Sequence, residues 1–270
     1  MLGAYMTDIN MGIYTANIGN SRTIRITSEK VSLRYHVYEN VRMQDLLHEL
    51  TKSHIHKESK VRAKPPPETT ETFSPIHGKK ITVQRLFQCV NSFLSNNMVV
   101  IVDVGEALIG ATDLVMHQGT EFLSPAYYAS MGFGVPGSIG SQLARPNLRP
   151  LVLVGDGAFQ MTGMELSTAV RFNLNPIVIV INNRGYGTER PMLDGPFNDL
   201  QLWEFSNIPK VVGGGRSFVI DYEEQLYEAM VESKAYTDGF CILDVRLEQG
   251  DMSPALERLT SKLAKLVQKE

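Results

Sequence analysis

No apolar run in this sequence approaches the ~20 residues that a membrane-spanning helix needs. The opening residues, MLGAYMTDINMG, carry neither the basic stretch nor the apolar core of a secretory leader, so a reducing cytoplasm is the expected compartment. Cysteine is nearly absent. Cys89 and Cys241 stand far apart in apolar surroundings, without the close spacing of a metal site or a disulfide framework, and read as buried free thiols. A basic excess is missing too: 26 Lys and Arg face 29 Asp and Glu, a net charge of -3. With no Lys/Arg run interleaved with aromatics, nucleic acid is not an expected partner. What is present is 270 residues, 43% hydrophobic, enough to bury one good core and a smaller accessory piece.

Residues 51–80, TKSHIHKESKVRAKPPPETTETFSPIHGKK, are polar, and Pro65-Pro66-Pro67 favours extended polyproline geometry. This stretch reads as a linker, with His54 and His56 as solvated loop residues. Residues 1–50 offer two β-like runs (RTIRIT, VSLRYHVY) and a short helical pattern (MQDLLHEL), too little for a typical domain and so expected to be part of something larger. Residues 81–270 are regular. TVQRLFQCVNSFL, GMELSTAVRFN, YEEQLYEAMVESKAY and SPALERLTSKLAKLVQK read as helices, and MVVIVDVG, PLVLVGDG, PIVIVINN, SFVID and FCILDVRL as strands. Continuous β-branched runs alternating with helices predict an α/β fold, a doubly wound parallel sheet with helices on both faces.

Ligands of such sheets bind outside the carboxyl ends of the strands, where this chain has DVGEA, GDGAF and NNRGYG. Asp156 ends one strand and Asn183 the next, so a right-handed βαβ crossover brings both to one rim. A carboxylate, an amide oxygen and a main-chain carbonyl from the RG turn suit a small hard cation. Mg²⁺ commonly completes its octahedron with water and phosphate oxygens, which points to a phosphorylated cofactor. Gly157 has no Cβ to obstruct a phosphate, and the amides opening the following helix favour an anion. DVGEALIG and GDGAF would then cradle a diphosphate. A dinucleotide-binding turn competes for GDGAFQ, but Gln160 stands where the third glycine of G-x-G-x-x-G belongs, and no acidic residue ends the next strand.

Gly155-Asp156-Gly157, 24 intervening residues and Asn182-Asn183 resemble the thiamine diphosphate motif of the thiamine-dependent enzymes. ATDL, YYASMGFGVPGSIGSQLA, GDGAFQMTGMEL and DGPFNDLQLWEF resemble the carboxyl-terminal part of the pyruvate, indolepyruvate and phenylpyruvate decarboxylase group. The likeness covers residues 81–250 closely and 1–50 loosely, as the end of that group's central domain. It implies thiamine diphosphate and Mg²⁺ as cofactors, and non-oxidative decarboxylation of a small 2-oxo acid, aromatic in preference to pyruvate. Asp156, Asn183 and the Gly185 carbonyl are the implied Mg²⁺ ligands. Gly105, Gly157 and Ala158 line the diphosphate, with Asn183, Gly185 and Tyr186 also among the cofactor contacts. The group usually has Gly-Asp where this chain has Gly105-Glu106, so Glu106 is a cofactor contact of open role. Met131 falls where a large apolar residue props the cofactor, the alternative being a core methionine. Glu189 falls at the glutamate that assists protonation and product release. A carboxylate in a cofactor-lined cleft would have its pKa raised by desolvation; the alternative is an exposed glutamate. Carboligases of the wider family generally lack it, which favours decarboxylation.

The same resemblance names what this sequence does not contain. The group activates its cofactor with a glutamate on a separate amino-terminal domain and uses an adjacent His-His pair. None of the six histidines here adjoins another, and His117 reads as structural. The chain is therefore expected to hold the diphosphate half of a site and to be inactive alone. It would be a truncation, which the partial central domain favours, or one subunit of a split enzyme of the acetohydroxyacid synthase type, or a non-catalytic cofactor-binding or assembly subunit. A homo-oligomer or a partner chain would supply the pyrimidine-binding half, and the face turned to it should expose an unusually large apolar area.

Overall fold

A computed structural model of the chain describes residues 1–4, 6–7, 11, 18–53, 72–117 and 119–267. His54, His56 and the triple proline, expected in a linker, lie outside these. The chain divides into two compact units, Met1–Pro65 and Pro66–Glu270. In the first, RTIRIT and VSLRYHVY form an antiparallel meander of β1 (Ile24–Ile26), β2 (Lys30–Leu33) and β3 (His36–Glu39), and MQDLLHEL lies in α1 (Met43–Lys52). Ile26 and Val31 are the buried hydrophobic residues among those described there.

The second unit runs α2 (Val83–Phe93), β4 (Met98–Val102), α3 (Glu106–Gly110), β5 (Glu121–Leu123), α4 (Gly134–Ala144), β6 (Arg149–Gly155), α5 (Asp156–Thr162), α6 (Leu166–Arg171) and β7 (Ile177–Asn182). It continues with α7 (Ile208–Val212), β8 (Arg216–Ile220), α8 (Glu223–Ala235), β9 (Cys241–Arg246) and α9 (Pro254–Val267). Six strands form one parallel sheet in the order β5-β4-β6-β7-β9-β8.

The central strands β4, β6, β7 and β9 are buried on both faces because successive side chains point to opposite sides and both sides are largely apolar. Val100, Leu153, Ile179 and Leu243 pack with Leu86 and Val90 of α2 and with Leu226 and Met230 of α8. Val99, Ile101, Val152, Val178 and Ile242 pack on the other face with Val135 of α4, Phe159 of α5, Leu166 of α6 and Ile208 of α7. The doubly wound arrangement is the predicted one. Cys89 and Cys241 are buried and free, and burial pushes the Cys89 thiol up to about 12, which leaves it chemically inert. No described helix is long and apolar enough to cross a membrane.

Four of these elements, α3, α4, α7 and β5, have no counterpart in the sequence reading, and one differs. β5 is three residues long, too short for an alternating pattern. α4 contains Gly134, Gly137 and Gly140, poor helix formers that mask its periodicity. Gly134 serves packing: a Cβ there would lie 3.1 Å from Val152 Cγ1 and 3.2 Å from Asp103 Oδ2, so glycine lets this end of the helix settle onto the sheet. The helix expected over GMELSTAVRFN is part of a longer helical stretch that starts at Asp156, passes a 3₁₀ turn at Gly163–Glu165 and ends at Arg171.

Phe159, the aromatic of GDGAF, is fully buried with its ring edge-on to Phe205 at 5.3 Å between centroids. Phe159→Ala is expected to cost about 3–5 kcal/mol in urea denaturation; a loss below about 1 kcal/mol would mean that the core refills the space.

Candidate functional site

Strand order reverses beside β4: the chain passes from it to β5 on one side, and to β6 on the other after α4. A reversal of this kind opens a crevice at the carboxyl ends of the two strands. The loops after β4, β6 and β7 meet there. Gly105, following β4, has φ 86°, a conformation that glycine adopts without strain. A Cβ at Gly105 would lie 3.0 Å from Thr188 Oγ1, so the first loop touches the third.

Asp156 and Asn183 do converge on this rim. Asp156 is 4% exposed; its Oδ1 accepts the Gly157 amide at 2.8 Å and its Oδ2 the Gly185 amide at 3.1 Å. The second bond ties GDG directly to NNRG across the gap between β6 and β7. It requires the chain to double back after Asn183, which it does with Arg184 in the left-handed region (φ 63°). Burial pushes the Asp156 carboxyl up to about 6, against the pull of the Gly157, Gly185 and Arg184 amides. Asn183 is 6% exposed and lies against Gly187, where a Cβ would collide with its side-chain nitrogen. Its side-chain amide makes no hydrogen bond among the described residues. The Gly185 carbonyl accepts the Gly187 amide at 2.9 Å and keeps a second lone pair.

The remaining candidates fall around this centre. Ala158 is buried in the core with its methyl group turned into the apolar cluster, leaving only its backbone for a ligand. Over Gly157 the space is taken by Tyr186: a Cβ there would lie 2.7 Å from the tyrosine ring. Met131 is 37% exposed in the loop before α4, so the core-methionine alternative does not hold. Thr162 Oγ1 donates to the Gly132 carbonyl at 2.8 Å and joins that loop to α5. Tyr127, Tyr128, Met161 and Met164 are exposed in the same two segments, an apolar surface of aromatic and thioether side chains. Glu189 is exposed in this chain.

Asp103 was not singled out from the sequence. It follows β4 as Asp156 follows β6, is fully buried, and accepts the Val104, Gly132 and Gly134 amides at 2.8, 3.1 and 2.7 Å. It therefore holds both the Met131 loop and the start of α4. The available signal was its position, a carboxylate directly after an all-apolar strand.

Glu106 is also buried, 6% exposed, but its carboxylate turns to the start of α9 and accepts the Ser253 amide at 3.2 Å. Burial pushes its pKa from 4.5 to about 7. The folded state thus holds this proton more tightly than the unfolded state. The corresponding stability is present below about pH 4.5 and is lost as the pH rises towards 7. Gln keeps an acceptor for Ser253 and removes the charge. Glu106→Gln is expected to exceed the parent's stability at pH 8 by on the order of 3 kcal/mol at most, the gap closing towards acid pH; equal urea midpoints at pH 8 would contradict a buried charge here.

Comparison with known proteins bears on what this rim holds. A family model described as "Thiamine pyrophosphate enzyme, C-terminal TPP binding domain" matches residues 103–245, from Asp103 to the end of β9 and more than half of the chain. The chain is 30% identical over 262 residues to indole-3-pyruvate decarboxylase of Azospirillum brasilense, covering 96% of this chain and 47% of that protein. It is 29% identical over 265 residues to alpha-keto-acid decarboxylase of Mycobacterium leprae (96% and 46%), and 31% identical over 226 residues to pyruvate decarboxylase of Aspergillus fumigatus (80% and 39%). The chain thus spans about half the length of the curated relatives it matches, or less. With its sheet order, its convergent loops and this match in agreement, the chain belongs to the thiamine pyrophosphate enzymes, through their C-terminal thiamine pyrophosphate-binding domain.

Proposed function

We propose that the chain is the diphosphate- and Mg²⁺-binding part of a thiamine diphosphate-dependent, non-oxidative 2-oxo acid decarboxylase acting on an aromatic substrate of the indolepyruvate or phenylpyruvate kind. The observation that carries this reading is the 3.1 Å bond from the Gly185 amide to Asp156, which draws the ligand candidates of two loops into one place. The names of the relatives support the reaction class, and the aromatic preference rests on resemblance. In this reading residues 1–50 are the end of a central domain, 51–80 a linker and 81–270 the cofactor domain. The pyrimidine side of the cofactor is met by residues outside this sequence.

The donor set fits the metal. A buried carboxylate, the amide oxygen of buried Asn183 with no hydrogen-bond partner among the described residues and a carbonyl with a free lone pair are hard oxygen donors of the kind Mg²⁺ takes, leaving positions for water and diphosphate oxygens. Asp156, Asn183 and Gly185 would hold the ion, and Gly105, Gly157 and Ala158 would line the diphosphate. Tyr186, which lies over Gly157, would have to share that space with the cofactor. Thiamine diphosphate supplies the electron sink that receives the electron pair when carbon dioxide leaves. Met131 would stand against the cofactor's apolar surface. Glu189 would deliver a proton to the carbon that has lost carbon dioxide, once the completed site covers its carboxylate and excludes water.

A second reading, a non-catalytic cofactor-binding subunit, draws on the exposure of Glu189 in this chain. Three measurements separate the possibilities. Asp156→Ala should lose Mg²⁺-dependent thiamine diphosphate binding in calorimetry, and retained binding would remove Asp156 from the metal site. Glu189→Gln, placed in the completed enzyme, should keep cofactor binding and lose about 10²–10⁴-fold in kcat; full turnover would take the proton transfer away from Glu189. Carbon dioxide release from indolepyruvate by the purified chain alone, with cofactor and Mg²⁺, should be absent, and its presence would refute the incompleteness of the site.

A further inference from the structure

The loop from Asn183 to Asp199 presents both Glu189 and the Gly185 carbonyl. Its ends are joined by an antiparallel bridge between Gly185 and Asp199, with the Tyr186 amide donating to the Asn198 carbonyl at 2.9 Å. Within it the Glu189 amide donates to the Tyr186 carbonyl at 3.1 Å, and the Glu189 carbonyl accepts the Met192 and Leu193 amides at 2.9 and 3.0 Å. Glu189 is thus placed by its backbone, since its exposed carboxylate makes no hydrogen bond or ion pair among the described residues. Whatever holds this backbone holds the carboxylate.

Arg190 is the side chain that spans the loop. Its Nη1 donates to Asp194 Oδ1 at 2.7 Å, and its Nη2 to Asp199 Oδ1 at 2.6 Å and to the Asn198 carbonyl at 3.5 Å. The side chain is 13% exposed. Asp194 also accepts the Gly195 amide at 2.9 Å, and Asn198, 3% exposed, donates to the Leu193 carbonyl at 2.8 Å, so the guanidinium joins two local turns. It also crowds Gly185: a Cβ there would lie 2.6 Å from Nη2 and collide with the Asn198 carbonyl. The two carboxylates are largely exposed, and a simple surface pair would contribute little. One planar fork that binds both at the two ends of a loop is a different case, because it cancels their repulsion and sets their separation.

We propose that Arg190 is a positioning residue, which fixes the loop carrying Glu189 and the Gly185 carbonyl by holding Asp194 and Asp199 on one guanidinium. The inference rests on the reading of Glu189 and Gly185 given above, and its test separates the two. Amide hydrogen exchange of the full chain, without cofactor, reads the loop directly, and calorimetry with Mg²⁺ and thiamine diphosphate reads the site. Arg190→Ala should speed exchange at the Tyr186 and Glu189 amides at least about tenfold and weaken Mg²⁺-dependent cofactor binding about 10–100-fold, as loss of a supporting partner behind a metal ligand does. Exchange in β4, β6, β7 and β9 and the thermal midpoint should stay unchanged, which a general structural defect would not allow. Asp199→Asn should reproduce the loop effect, and Arg190→Lys, which keeps the charge but lacks the planar fork, should fall between. Unchanged exchange at Tyr186 and Glu189 in Arg190→Ala would overturn the inference, as would faster exchange with cofactor affinity intact. If the parent chain itself binds no cofactor, the proposed function fails, and the exchange result alone decides whether Arg190 holds the loop.

Discussion

Burial of one parallel sheet on both faces is the constraint from which the rest follows. With Val, Ile and Leu side chains filling the space above and below β4, β6, β7 and β9, the strand interiors have no room for a polar ligand. Their backbone groups are consumed in the ladders. Chemistry is left to the rim, where strands end and loops begin, and only the reversal of strand order beside β4 opens that rim into a crevice.

Three buried carboxylates mark this rim, and each meets the cost of burial differently. Asp103 accepts three amides and organises the Met131 loop and α4. Asp156 spans β6 and β7, yet burial keeps its pKa near 6, so a cation beside it would favour the ionised form. Glu106 follows Gly105 in the loop that meets Thr188, but its carboxylate serves the α9 side of the protein. One loop therefore carries a backbone free to face a ligand and a side chain committed to packing. The Asn183 loop works in the opposite sense, presenting an exposed carboxylate at Glu189 while Arg190 is committed to the loop itself.

Much of the fold was legible in the sequence because the pattern of each main strand is local. LVLV and IVIVI are uninterrupted apolar runs and CILDV is interrupted only by Asp244, and a sheet covered on both faces accommodates a succession of them. The site was legible at Asp156 and Asn183 for a related reason: a ligand residue placed at a strand end can be read from where the strand stops. α4 was hidden because its three glycines, of which Gly134 lies close to Val152 and Asp103, erase the helical signal. β5 was hidden by its length. Exposure of Met131 and Glu189 could not be read at all, since it depends on which other parts of the chain reach them.

By itself the sequence determined the strands, the spacing of Gly-Asp-Gly from Asn-Asn and the family to which they belong, since all three reside in contiguous residues and their periodicity. Only the tertiary structure decided the partners. That Asp156 meets Gly185, 29 residues on, that Glu106 turns to Ser253, 147 residues on, and that Tyr186 lies over Gly157 are outcomes of packing. A carboxylate has the same chemistry at every position, and what it does is set by which amides the fold brings within hydrogen-bonding reach and how much water it removes.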